Sequence, residues 1–222
     1  MSVAVFFEEK LLRLFFLGIF LLGFQAQAAE KLVITVLGDS LTSGFELRTN
    51  EGYVPVLEKQ LLSKGYNVDL RSASVAGQST RQGRDWVFVE PVISADIVLL
   101  QLGANDGAYR VLPEEIQENL DYMITNMQGR GQMVVLLGMK MSPKYGLDYR
   151  MEYDAVFETT AAKYNLMFEP FIYAPLFDFD TLDVRRELLL DDARHPNAEG
   201  VRRLVEHTQA LVEKAIRKRR AN

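Results

Sequence analysis

The 222-residue sequence contains no cysteine. Disulfide scaffolds, thiolate zinc sites and redox-sensing thiols are therefore excluded. Histidine is scarce: only His195 and His207 occur, too few for a histidine-rich metal site. There is one tryptophan, Trp86, and no excess of positive charge. A formal net charge of −5 gives no reason to expect a nucleic-acid partner. The one dense basic run, Lys214 to Arg220, lies where cations complement the dipole of a last helical turn. No internal repeat, low-complexity tract or linker divides the chain. What remains is an ordinary globular composition, 48% hydrophobic and 25% charged, in a length that suits one domain with a full core.

The long hydrophobic run lies at the start. Lys10 and Arg13 precede Leu14 to Phe24, which leads into Gln25-Ala26-Gln27-Ala28. This pattern predicts a secretory leader over residues 1–28, cut after Ala28, and a single domain over residues 29–222. The run is short of the roughly 20 apolar residues that a membrane span needs. Glu8 and Glu9 dilute the positive region, and a retained anchor is the alternative reading. No cysteine follows the run, which excludes a lipoprotein. An exported protein is expected, periplasmic first and secreted second, because a chain without thiols suits an oxidising compartment.

Beyond the leader, strands and helices alternate. Lys31 to Leu37 is a β-branched and apolar run ending in Gly38-Asp39-Ser40. Val54, Leu57 and Leu61 give Tyr53 to Leu62 helical spacing, stopped by Gly65. Asn67 to Ser74 reads as a second strand. Asp96 to Leu102 is a third, continuously apolar as doubly covered parallel strands are. A helix starts near Pro113, with Ile116, Leu120, Met123 and Met127 on one face. Met133 to Gly138 is a fourth strand, Tyr149 to Tyr164 a helix, and Leu166 to Phe171 a fifth strand. The last helix follows Pro196-Asn197, with Val201, Leu204, Val205, Thr208, Leu211, Val212 and Ile216 as its stripe. The expected fold class is α/β, a parallel sheet covered on both faces.

Polar and small residues then gather at one edge. Ser40, Gly77 and Asn105 each follow the carboxyl end of a different strand, where open parallel sheets bind ligands. A serine hydroxyl is a poor nucleophile until a base takes its proton. Asp192-Ala193-Arg194-His195 supplies an imidazole and, three residues earlier, a carboxylate to orient it. The Asn105 amide with the N–H groups of Ser40 and Gly77 would give three donors for an oxyanion. Each piece has a plainer explanation: Asp39 or Ser40 as a helix cap, Asn105-Asp106-Gly107 as an ordinary turn, His195 as a surface loop residue. The order and placement of all four pieces favour the chemical reading. A Gly-x-Ser-x-Gly elbow is absent, and His207 falls inside the last helix, at the border of its apolar stripe.

These residues resemble the SGNH (GDSL) hydrolase superfamily, and within it the bacterial periplasmic thioesterase I/lysophospholipase/arylesterase group. The match is carried by Leu37-Gly-Asp-Ser-Leu-Thr-Ser-Gly-Phe45, Gly77, Gly103-Ala-Asn-Asp-Gly107 and Asp191-Asp-Ala-Arg-His-Pro-Asn197. The resemblance implies a flavodoxin-like three-layer α/β/α sandwich with a five-stranded parallel sheet. It also implies Ser40 as nucleophile, His195 as base, Asp192 as its orienter, and Ser40, Gly77 and Asn105 as the oxyanion hole. The chain departs from the family pattern twice. Ala193 stands where the last block usually has glycine, and Gln78 where thioesterase-like members commonly have an acid.

The expected reaction is hydrolysis of carboxylic esters or thioesters through a serine ester, with no metal and no organic cofactor. Activity should fall below about pH 6 as the imidazole base protonates. Asp39, Leu41, Tyr109, Leu112, Met141, Pro143 and Tyr145 are the expected substrate-binding residues. An apolar lining that also takes in Phe45, Leu47 and Val111 would suit an acyl chain. The alternatives are an acetyl esterase acting on polysaccharide or peptidoglycan, and a non-catalytic binding module on the same fold. A monomer is expected, acting on a small-molecule or lipid ester.

Overall fold

A computed structural model describes residues 30–221. The leader expected over residues 1–28 therefore lies outside the described residues. Five parallel strands form the sheet, β1 (Leu32–Gly38), β2 (Val68–Ser72), β3 (Ile97–Gln101), β4 (Met133–Leu137) and β5 (Met167–Glu169), in the order β2-β1-β3-β4-β5. That is the doubly wound order with its switch point between β1 and β3. The central strands are buried on both faces: all five residues of β3 are inaccessible, which explains the apolar run Ile97 to Leu100.

Among the described residues seven α-helices accompany the strands: α1 (Ser40–Ser43), α2 (Tyr53–Ser63), α3 (Thr80–Trp86), α4 (Ala104–Ala108), α5 (Pro113–Gly129), α6 (Leu147–Lys163) and, after the last strand, α7 (Ala198–Ala221). α2 and α7 pack together on one face of the sheet, while α3, α5 and α6 pack side by side on the other. The expected three-layer sandwich is the observed one. The stripe of α7 is buried as expected at Val201, Leu204, Val205, Val212 and Ile216. Thr208 on that stripe is polar yet fully buried, because its hydroxyl lies 2.6 Å from the Tyr53 hydroxyl of α2. His207, beside it, pairs through Nε2 with Glu169 Oε1 at 3.0 Å. It ties α7 to β5, and the Glu169 side chain holds its imidazole above the ordinary value.

Two features differ from the sequence expectation. β5 ends at Glu169 rather than Phe171, because Pro170 has no N–H to continue the ladder. A small antiparallel hairpin, β6 (Phe177–Asp178) with β7 (Asp183–Val184), interrupts the approach to α7. Among the described residues no helix is long and apolar enough to cross a membrane.

Candidate active site

The sheet's carboxyl edge at the β1/β3 switch point holds the serine. β1 ends at Gly38, where an added Cβ would lie 2.1 Å from Thr42 Oγ1, so only glycine lets the chain turn this tightly into α1. Asp39 caps α1: its Oδ1 accepts the Leu41 N–H at 3.0 Å, and its own N–H donates to Gln101 Oε1 at 3.3 Å. Ser40 is the first residue of α1, so its N–H has no helical acceptor. Its side chain faces the loop before α7.

That loop is held from several sides. Leu190 N–H donates to His195 O, and Tyr173 Oη donates to Arg194 O, both at 2.8 Å. Asn197 caps α7 through Oδ1, accepting from Glu199 and Gly200, while its Nδ2 donates to Glu187 O and Leu189 O. Ala193 adopts a left-handed backbone, φ 54°, which explains why glycine suits this position. A non-glycine residue there costs roughly 1–2 kcal/mol, and the loop keeps its shape with alanine because these bonds brace both ends.

Ser40 Oγ lies 2.9 Å from His195 Nε2, and His195 Nδ1 lies 2.5 Å from Asp192 Oδ2. Asp192 Oδ1 accepts the backbone N–H groups of Arg194 and His195 at 2.9 and 3.0 Å. Partial burial works against the charge of Asp192. The two backbone bonds and the imidazole outweigh it and bring the carboxyl down to about 2. The Phe45 ring rests on the imidazole, centroids 4.4 Å apart, and its tilted contact limits ring rotation.

Of the expected oxyanion donors, Asn105 is tied to the loop that carries Gly77. Gly77 has φ +83°, which turns this loop in a conformation that favours glycine. Asn105 on α4 donates from Nδ2 to Gln78 O at 2.9 Å, so the element carrying one donor is tied to the loop carrying another. Gln78, the second departure from the family pattern, is buried, and its contribution to Asn105 is made by its backbone carbonyl.

The expected substrate residues separate into groups. Asp39 and Leu41 are buried beneath the serine, because one caps α1 and the other packs into the core, so neither reaches a substrate. Tyr109 and Leu112 stand out from the rim at 82% and 66% exposure rather than lining a closed cleft. Met141 packs against Gly107 on α4, and Tyr145 O accepts Arg110 Nη1 at 2.8 Å. Pro143 opens a single helical turn, Pro143–Tyr145.

Asp39 carries a consequence for stability. Complete burial pushes its carboxyl up to about 7, opposed by the Leu41 N–H and the Gln101 side chain and reinforced by Asp106. The folded protein thus binds this proton more tightly than the unfolded chain. The associated stability is full below the unfolded value of 3.8 and is lost as pH rises to about 7. Asp39→Asn keeps a capping oxygen and removes the titration. Its melting temperature, relative to wild type, should rise from pH 5 to pH 8 by the equivalent of roughly 3 kcal/mol. A gap that stays constant between the two pH values would contradict this account.

A hydroxyl, an imidazole and a carboxylate in one hydrogen-bonded line at a switch point define a serine hydrolase. The chain belongs to the GDSL-like lipase/acylhydrolase family, which it matches over residues 36–203. An esterase TesA of Pseudomonas aeruginosa is 30% identical over 158 residues, covering 69% of this chain and 77% of the relative. An arylesterase of Vibrio mimicus is 30% identical over 184 residues, covering 82% and 87%. The solved structure of AlinE4, an SGNH-hydrolase family esterase, is 32% identical with a TM-score of 0.67, over 84% of this chain and 97% of that one. The chain is an ester hydrolase of this family.

Sequence reasoning missed Phe45 as the residue seated on the imidazole; no short motif signals such a contact. It also missed the polar chain behind Asn105, although Ser79-x-x-Gln82 is a capping-box signature for the helix that chain enters.

Proposed function

We propose that the protein hydrolyses carboxylic esters and thioesters of acyl chains through a covalent ester on Ser40. The observation that carries this reading is the unbroken line from Ser40 Oγ through His195 to Asp192. As Oγ attacks the acyl carbonyl carbon, Nε2 takes the hydroxyl proton, and Asp192 stabilises the resulting imidazolium. The oxyanion receives the N–H groups of Ser40 and Gly77 and the second Nδ2 proton of Asn105. Collapse breaks the bond to the alcohol or thiol, which leaves with the proton from Nε2. Water then gives a proton to Nε2 as it attacks the acyl carbon, and Nε2 passes that proton to Ser40 Oγ as the acid is released.

The esterase and arylesterase names of the relatives support an ester substrate over an amide. Phe45 against the catalytic imidazole and half-buried Leu47, Val111 and Met141 support an acyl chain. One observation favours a second reading, an acetyl esterase on polysaccharide or peptidoglycan: Tyr109, 82% exposed, could stack on a sugar ring. Nitrophenyl esters from acetyl to palmitoyl separate the two. On the acyl-chain reading kcat/KM rises from acetyl to medium chains, since each buried methylene is worth about 0.8 kcal/mol. A maximum at acetyl would favour the second reading. Export of the mature chain as a monomer belongs to the same proposal, supported at its amino end by the apolar run that closes on Ala26-Gln27-Ala28.

A further inference from the structure

We propose that Asp106 is a positioning residue for the oxyanion hole, acting through Thr80 on the loop that follows Gly77. The inference rests on the reading of Gly77 and Asn105 given above.

Asn105 and Asp106 are neighbours on α4; Asn105 reaches back to the loop after Gly77 and Asp106 to Thr80, where that loop enters α3. Asn105 Nδ2 spends one proton on Gln78 O, leaving its second for a ligand. Asp106, 1% exposed, accepts the Thr80 N–H on Oδ2 at 2.9 Å and the Thr80 hydroxyl on Oδ1 at 2.5 Å. Residues 78 and 80 are thus gripped by consecutive residues of α4. The clamp fixes how far the N–H of Gly77 lies from the amide of Asn105.

The polarity of this network is set. Arg84 Nη1 donates to Asn119 Oδ1 at 3.3 Å, Asn119 Nδ2 donates to Thr80 Oγ1 at 3.2 Å, and the Thr80 hydroxyl donates to Asp106. A guanidinium can only donate and a carboxylate only accept, so the chain runs in one direction. An amide at position 106 would turn N–H toward a hydroxyl that already receives Asn119 and points its own proton the same way. The Ser79/Gln82 capping box satisfies the N–H groups of those two residues, and Asp106 takes the next first-turn donor, that of Thr80, so it fixes the start of α3 from α4.

The test compares Asp106→Asn, Thr80→Val, Asn105→Ala and the double variant Asp106→Asn/Asn105→Ala. Active sites are counted by titration with a nitrophenyl phosphonate, and kcat and KM are measured per titrated site on a nitrophenyl ester. Asp106→Asn should lower kcat about 10- to 100-fold with KM within about twofold, and Thr80→Val should act in the same direction. The double variant should lose clearly less than the product of the two single losses, because the clamp sets the spacing between two donors and one of them is already gone. Wild-type kcat per titrated site in Asp106→Asn overturns the proposal. So does a loss that multiplies in full with that of Asn105→Ala, the mark of a merely structural role. If Asp106→Asn does not fold, Thr80→Val and its double with Asn105→Ala decide by the same criteria. Wild-type kcat in Asn105→Ala would instead remove the underlying reading of the oxyanion hole, a result distinct from either.

Discussion

Ser40→Ala is expected to lower kcat on nitrophenyl esters by on the order of 10⁶, leaving only what the oxyanion donors and binding supply. The size of the loss follows from what the hydroxyl does. It forms the bond to the acyl carbon, and no other nucleophile stands within reach of His195 Nε2 among the described hydrogen bonds. The substitution should leave the fold intact. The Ser40 side chain makes one hydrogen bond, to the imidazole, and α1 is capped by Asp39 rather than by Ser40. Parallel assays of purified wild type and variant, with melting curves as a control for folding, check both statements.

Asp192→Asn is expected to cost about 10⁴ in kcat. The amide oxygen can still accept the backbone N–H groups of Arg194 and His195, so the loop is kept. The amide nitrogen then faces His195 Nδ1, where the carboxylate oxygen Oδ2 now accepts. The ring is driven to the tautomer with its proton on Nε2, which presents a donor to Ser40 where a base is needed. The wild-type carboxyl is held at about 2, so the stability its hydrogen bonds supply is complete above the unfolded value of 3.8 and fades only as pH falls toward 2. The acid limb of the wild-type rate profile above pH 4 therefore cannot arise from Asp192. Profiles of kcat for both proteins from pH 4 to pH 9 check this. The variant should be slow across the whole range rather than displaced along it.

Both arguments concern residues already legible in the sequence. Ser40 follows β1, Asp192 and His195 lie in the loop before α7, and each sits in a short motif that can be read without the fold. The sheet was legible for a related reason: β1, β3 and β4 are runs of β-branched and apolar residues broken by glycine. Elements without periodicity were not. α1 and α4 have four and five residues, and each strand of the β6/β7 hairpin has two, too few for a repeat to register. Substrate contacts were the least legible part, because apolar residues in loops look alike whether they pack or protrude. Asp39 and Leu41 lie beneath the site, and Tyr109 and Leu112 stand out from it. The role of Asp106 was hidden by its setting, since Asn-Asp-Gly reads first as turn chemistry.

The central claim, that one hydroxyl carries the reaction, is tested most directly by labelling. The protein is incubated with a nitrophenyl phosphonate, digested, and the modified peptide is mapped by mass spectrometry. One adduct on Ser40, formed in step with loss of activity and absent from Ser40→Ala, is the predicted result. An adduct on another residue, or inactivation with Ser40 unmodified, would contradict the account.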